Sequence, residues 1–330
     1  MRWFTLLLIG CVSVQSSAAD INVPADHLTI QAAILAANTG DVVIVAPNTY
    51  PESIDFLGKA ITVRSTDPND PVVVMQTIID GTGFDHVVQC VSGEGPDTVL
   101  SGFIITGGNA NGASFPNRDG GGMLILNSSP TVMNCTFKGN ASSNSGGGMS
   151  IFNSNAAVTN CLFSENSSMS GGGMYNQGSN TVITNCTFID NVTDPGGGAG
   201  MFNRGGSPVV SDVLFTKNTA VGGGGGLVNF EFCSTTLVNC TFSGNSAVSG
   251  GAVFTFQNSS TPSMADSLFC NNTPDHISGE ALVDDGGNIF SAYCPPPIPV
   301  PPSCPADINT DTNVNVTDLL ALLAAWGACP

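Results

Sequence analysis

The tetrad Phe-x-x-Asn returns at a near-fixed interval through the middle of the chain, and that period constrains the fold more than any local preference. It reads FKGN at Phe137–Asn140, FSEN at Phe163–Asn166, FIDN at Phe188–Asn191, FTKN at Phe215–Asn218, FSGN at Phe242–Asn245 and FCNN at Phe269–Asn272. Successive phenylalanines lie 26, 25, 27, 27 and 27 residues apart. A period of this length marks stacked repeats, in which each unit buries its apolar face against its neighbours.

One unit, residues 146–166, runs as a glycine triplet, an apolar stretch Met149–Phe152, Asn153, then Val158, Asn160, Cys161, Leu162, Phe163 and Asn166. Apolar pieces this short, bounded by Gly, Asn or Ser, do not make helices and suit strands closed by turns. About three strands in about 26 residues form one coil of a parallel β-helix, each coil resting on the last at about 4.8 Å.

Side-chain parity agrees. Cys161 and Phe163, two apart, face inward together, whereas Val158 is out of phase with them, so a turn resets the alternation at Asn160. Asn tolerates a left-handed backbone at a single position, which such a bend needs. The order recurs as Val132/Asn134/Cys135/Phe137, Val182/Asn185/Cys186/Phe188 and Leu237/Asn239/Cys240/Phe242. The tetrad asparagines Asn140, Asn166, Asn191, Asn218, Asn245 and Asn272 are expected to stack as a structural ladder, amide to amide along the axis. A polar binding stripe or a row of glycan attachment points is the other reading of that column.

The GG-M/L-x-N runs and the F-x-x-N tetrads resemble the repeats of chlamydial polymorphic outer membrane proteins, within the right-handed β-helix, pectin-lyase-like superfamily. The resemblance covers about residues 100–272. It implies an all-β, right-handed parallel β-helix, and it leaves function open, because this fold hosts enzymes, adhesins and scaffolds alike.

Residues 1–19 read as a secretory signal: a charged start and short apolar core at Met1–Ile9, then small residues to a cut after Ala19. Leu8-Ile9-Gly10-Cys11 also resembles a lipoprotein box, which would lipidate Cys11. No later segment has the roughly 18 consecutive apolar residues of a membrane span. The β-helix domain is then expected over residues 20–294. Near its start Ile30, Ala33, Ile34 and Ala37 fall at helical spacing after Thr29, a candidate N-cap, with Gly40 as a stop. This helix is expected to cap the open end of the β-helix. Strands at Val42–Ala46, Ala60–Ser65 and Val72–Ile79 then enter the first coils. The succession TIQAAI, GD-x-V-x-VAP-x-TY, GK-x-IT and IDG resembles the N-terminal edge of secreted pectin-lyase-like proteins.

Export would permit disulfides among the ten cysteines after Ala19. Cys135, Cys161 and Cys186 fall in one column with Val213, Cys240 and Ser267. A slot that accepts Val is small and apolar, so packed, inert thiols are expected there, although stacked neighbours are close enough for one bridge. The chain carries 25 acidic and 7 basic residues, a formal charge of −18. That excludes nucleic acid as a partner, since phosphate binding needs clustered cations, and it repels anionic polysaccharides unless a cation bridges them.

Residues 295–303, PPPIPVPPS, form a stiff spacer before a different object at residues 304–330. There Asp307, Asn309, Asp311, Asn313, Asn315 and Asp318 set oxygen donors at positions 1, 3, 5, 7, 9 and 12 of a loop, followed by the apolar run Leu319–Trp326. Ca²⁺ takes six to eight oxygens at about this spacing; an Asx-rich turn with Asp318 capping the helix is the alternative. The loop resembles that of dockerin modules, with Thr312 where the family has Gly, and with one loop where cellulosomal dockerins have two. The resemblance implies an EF-hand-like loop-helix module, Ca²⁺ as its ion, and attachment to a cohesin-like or other cell-surface partner. Cys304 and Cys329 flank the module, and a bridge between them would contribute about 3 kcal/mol.

No catalytic residue emerges. Lyases of this fold need a Lys or Arg base and hydrolases need converging carboxylates. After Arg64 the coils hold only Arg118, Lys138, Arg204 and Lys217 as cations, and Lys138 and Lys217 sit at outward positions. His86 and His276 stand alone. The period breaks between Phe103 and Phe137, a step of 34 residues in which Gly108–Asp119 leaves the coil. Function concentrates on such excursions, and Phe115, Asn117, Arg118 and Asp119 supply an aromatic face and polar groups for a sugar. The chain is expected to be a secreted or cell-surface protein for adhesion, display or glycan binding. A divergent polysaccharide lyase or glycoside hydrolase and a structural envelope component are the alternatives.

Overall fold

The computed structural model describes residues 18–256, 260–280 and 282–294. Short strands pair in parallel from coil to coil and build three long sheets. Eleven strands run from Asp20–Val23 to Val283–Asp284, ten from Asn48–Tyr50 to Ile289–Ser291, and nine from Ile54–Asp55 to Ile277–Gly279. Five two-residue strands, from Asn109–Ala110 to Thr219–Ala220, make a fourth, narrow sheet.

The phenylalanines of the tetrads fill the interior. Phe137, Phe163, Phe188, Phe215, Phe242 and Phe269 lie face over face, with centroids 4.7–5.0 Å apart and planes within 10° of parallel. All six are fully buried; the last ring of the pile, Phe290, is 47% exposed. The pile needs bare backbone beside it. A Cβ on Gly173 would stand 2.6 Å from the Gly200 carbonyl and 2.8 Å from the Phe188 ring, and Gly122, Gly148, Gly200 and Gly226 hold the same position on the neighbouring coils, with Ala252 after them.

The tetrad asparagines are hydrogen-bonded one to the next. Asn166 donates from Nδ2 to Asn191 Oδ1 at 3.0 Å and to the Phe137 carbonyl at 2.9 Å, and the same pair of bonds recurs at Asn191 and Asn218. The corner asparagines Asn134, Asn160, Asn185 and Asn239 take φ of +52° to +55°, with Asp212 and Asp266 doing the same on other coils. Outside, these corners are also linked, Asn185 Nδ2 to Asn160 Oδ1 at 2.7 Å. A second interior amide column, Asn176, Asn203 and Asn229, comes from the Asn of GG-M/L-x-N, to which the sequence reading gave no role. Asn176 donates to Asn203 at 2.8 Å, and Thr235 donates to Asn229 at 2.6 Å.

Two expectations are corrected. Phe137 lies over Ile105, not Phe103, so the long step is 32 residues. Phe103 instead occupies the slot of Cys135: Thr136 bonds to its carbonyl as Leu162 bonds to that of Cys135. Chemical likeness between two phenylalanines misled the alignment, whereas the corner at Gly102, φ +83°, fixes the phase. Val72–Ile79 is not one strand. Pro71–Gln76 is helical, with Asp70 Oδ1 accepting from Val72 N at 2.8 Å, and the strand starts at Thr77. An Asp cap with Pro in the first turn outweighs the β preference of three valines.

The helix Ile30–Ala36 starts at the Thr29 cap, buries Ile30, Ala33 and Ile34, and packs against the strands Asp20–Val23, Val42–Val45 and Ile54–Asp55. Charges clamp both of its ends. The Glu52 carboxylate accepts from Ile30 N and Gln31 N at 2.8 and 2.9 Å. The Lys59 ammonium donates to the carbonyls of Ile34, Leu35 and Ala37 at 2.7–2.8 Å, satisfying groups that a helix C-terminus leaves orphaned. Lys59→Met is expected to lower stability by about 1.5–3 kcal/mol. A thermal transition within error of wild type would show that water replaces the clamp freely.

Cys135, Cys161, Cys186 and Cys240 carry free, buried thiols. Those of Cys161 and Cys186 donate to backbone carbonyls two residues back, both at 3.3 Å. Burial pushes Cys135 up to about 12 and Cys240 to about 11, so neither offers thiolate near neutrality. Cys11 and most of the signal segment lie outside the described residues, as do the spacer 295–303, the loop Asp307–Asp318 and the pair Cys304 and Cys329.

Candidate ligand groove

The strands that follow the glycine runs position the groove. In Met149–Phe152, Met174–Gln177, Met201–Gly206 and Leu227–Cys233 the first and third residues enter the core, and the second and fourth lie on the opposite side of the sheet, where Ser150, Phe152, Tyr175 and Val228 are covered and Gln177, Phe202, Arg204 and Phe230 are partly exposed. Their register aligns Ser150, Tyr175, Phe202 and Val228 in one outward column and Phe152, Gln177, Arg204 and Phe230 in the next. Aromatic rings therefore run across the coils: Phe152 to Tyr175 at 5.7 Å, Tyr175 to Phe202 at 5.3 Å, Phe202 to Phe230 at 5.9 Å and Phe230 to Phe256 at 4.8 Å. They are not one flat pile. Phe152–Tyr175 and Phe202–Phe230 are inclined at 45° and 48°; Phe152 and Tyr175 are buried in a small cluster with Leu124, and Phe202 and Phe230 are partly exposed.

The excursion supplies a wall, and it is shorter than the expected Gly108–Asp119: Asn109–Ala110 pairs with Ala141–Ser142 and Asp119 bridges to Ser145, so only residues 111–118 leave the coil. Phe115, 51% exposed, stands edge-on to Phe152 with centroids 5.0 Å apart. Between wall and strands lies an open groove of about 760 Å³ bordered by Phe115, Arg118 and Asp119 together with Asn144, Tyr175 and Arg204. Of the excursion residues singled out from sequence, Asn117 does not border it; its carbonyl accepts from Gly112 N at 2.8 Å and closes the loop. Sequence reasoning missed Tyr175, Gln177, Phe202 and Phe230, and counted Arg204 as a coil cation without placing it at a site. The signal that finds them is parity: second and fourth after the glycine run.

Asp119 is fully buried. Its Oδ1 accepts from Asn144 Nδ2 at 2.7 Å, and its Oδ2 has no hydrogen-bond partner. Burial raises its pKa, against the lowering effect of bonds from Asn144 and Ser145 and of the nearby Arg118 charge. The Tyr175 hydroxyl donates to Gln177 Oε1 at 3.1 Å, and burial raises the tyrosine. Arg204 Nε donates to Glu231 Oε2 at 2.8 Å while its guanidinium lies 5.6 Å from the Phe230 ring centroid. The pairing depends on a bulge. Register shifts between Arg204 and Gly206, and Glu231 and Phe232 take φ of +46° and +55°.

The other sequence candidates lie elsewhere. Lys138 pairs with Glu165 at 3.3 Å on the surface, and Lys217 occupies a left-handed position, φ +55°. His86 is buried, with Nδ1 3.0 Å from the Gly120 carbonyl, and His276 Nδ1 lies 3.3 Å from Asn272 Nδ2. Among the described residues no cluster of His, Cys, Asp or Glu is arranged to hold a metal ion, and no helix is long and apolar enough to cross a membrane. Asp119 is the one carboxylate among the residues bordering the groove.

A family model described as "Right handed beta helix region" matches residues 91–274, which includes every strand of the groove. The chain belongs to the right-handed β-helix family. No curated protein matches this β-helix. Among solved structures it is similar to a pectin methylesterase from carrot, at 11% identity and a TM-score of 0.40, over 86% of this chain and 90% of that one. A likeness so slight carries no activity across to this β-helix.

Proposed function

We propose that this protein holds a polysaccharide chain in the groove without cleaving it, in the service of adhesion or display. The observation that carries this reading is the run of aromatic rings across successive coils, spaced 4.8–5.9 Å, in which Phe152 and Tyr175 form a buried base and Phe115, Phe202 and Phe230 reach the groove beside amides and an arginine. Sugars present apolar C–H faces and a belt of hydroxyls, and aromatic rings with neighbouring amide groups answer both. The ring spacing is close to the length of one sugar in an extended chain. A single bordering carboxylate is short of the converging pair that glycoside hydrolysis uses. In this reading residues 1–19 export the chain, with lipidation at Cys11 as the alternative, and residues 304–330 anchor it through a Ca²⁺ loop to a cohesin-like or other surface partner.

The test is affinity electrophoresis of the mature chain through a panel of polysaccharides, with product analysis of the same mixtures. Phe202→Ala is expected to weaken retention about tenfold, or about 1.4 kcal/mol, with an unchanged circular dichroism spectrum. Release of reducing ends or unsaturated sugars would overturn the non-catalytic reading. The enzyme alternative is favoured by one observation, the raised pKa of buried Asp119, which suits a general acid.

A further inference from the structure

We infer that the groove selects neutral, hydroxyl-bearing sugar chains over polyuronates, and that Glu231 sets this preference by occupying Arg204. The inference rests on the glycan reading above and goes beyond it to the class of ligand.

A polyanion would have to be met by cations, and only Arg118 and Arg204 border the groove. Neither is free of a neighbouring carboxylate. Arg204 is held by Glu231 at 2.8 Å. Arg118 lies near enough to Asp119 for its charge to favour the ionised carboxylate. With Asp119 ionised, the two arginines and two acids sum to no net charge, in a chain whose formal charge is −18. The long-range field therefore opposes an acidic polymer and nothing local reverses it. A neutral chain meets neither obstacle.

The ion pair is built into the backbone. Gly205 and Gly206 take φ of +65° and +83° opposite Glu231 and Phe232, two consecutive non-glycine residues in the left-handed region. L side chains adopt that region reluctantly, and such outliers gather where a side chain must be aimed. Here the result is a carboxylate against the one arginine that the groove-lining strands present.

The experiment uses the mature full chain, as wild type, Glu231→Gln, and Glu231→Gln combined with Arg204→Gln. The probes are laminarin and xyloglucan as neutral polymers and polygalacturonate as the acidic one, read by affinity electrophoresis and calorimetry at low and high salt. Wild type is expected to retain a neutral polymer with little dependence on salt, and polygalacturonate at least about tenfold more weakly. Glu231→Gln should raise affinity for polygalacturonate about tenfold in a salt-sensitive way, and the added Arg204→Gln should abolish that gain. Wild-type preference for polygalacturonate would overturn the inference while leaving the glycan reading standing, and it is readable even if a variant fails to fold. A folded Glu231→Gln with no gain would overturn the role of Glu231. Retention of no polymer by any form would overturn the glycan reading itself.

Discussion

Asn191→Ala is expected to destabilise the central coils by about 3–5 kcal/mol, more than its size suggests. The side chain accepts from Asn166 N and Nδ2 at 3.1 and 3.0 Å and donates from Nδ2 to Asn218 Oδ1 and to the Phe163 carbonyl, both at 2.9 Å. Alanine fills little of that space and leaves the Asn166 N–H buried without a partner, at a cost of about 1–3 kcal/mol, and it takes one hydrogen bond each from the Asn166 and Asn218 side chains and the Phe163 carbonyl, at about 1 kcal/mol apiece. Domains are stable by only about 5–15 kcal/mol. In a stacked array, however, the loss is local before it is global, because each coil touches only its neighbours. Hydrogen exchange should therefore speed first at the Asn166 amide and the adjoining coils, with the N-terminal coils lagging. Uniform acceleration along the whole solenoid, or none, would contradict the ladder as a chain of nearest-neighbour bonds.

Phe188→Ala tests the other interior column. The ring is fully buried and stacks on Phe163 at 4.7 Å and on Phe215 at 4.9 Å. Removing it should cost about 3–5 kcal/mol for the lost burial and the cavity, and about 1 kcal/mol more for the two stacked pairs. Phe290→Ala, at the half-exposed end of the same pile, should cost about 1 kcal/mol. Denaturant melts of the two variants are the comparison. Equal losses would mean that position in the pile does not matter and that the rings act independently.

These two columns were legible in the sequence because their chemistry repeats with the coil. Phe137 to Phe269 and Asn140 to Asn272 occupy slots whose surroundings are the same on every turn, so one residue type serves throughout. The groove follows the opposite rule. A single register position on its face is Leu126, Phe152, Gln177, Arg204 and Phe230 in succession. Where neighbours in space are solvent and an irregular loop, nothing forces likeness from coil to coil, and a search for periodicity discards such positions as noise. The excursion was visible because it breaks the period, and Phe115, Arg118 and Asp119 border the groove. What faces it could be reached only by counting outward parity from the glycine runs. The error over Phe103 has the same root: a corner glycine at residue 102 carries the phase, and an aromatic side chain does not.

The shared register of the strands under the groove has a consequence for how such a protein can change over generations. An insertion of one residue in Met174–Gln177 would exchange inward for outward positions along that strand. A duplication of one whole coil would leave every interface as it was and add one more outward pair to the face. The glycines at residues 146–148, 171–173, 198, 200 and 224–226 recur at matching points of successive coils, so a copied coil would bring its own bare backbone to the new interface. Heritable variation in such a chain is therefore expected to come in units of a coil. The outward face would lengthen in steps of one coil, each step carrying the residues of the coil that was copied.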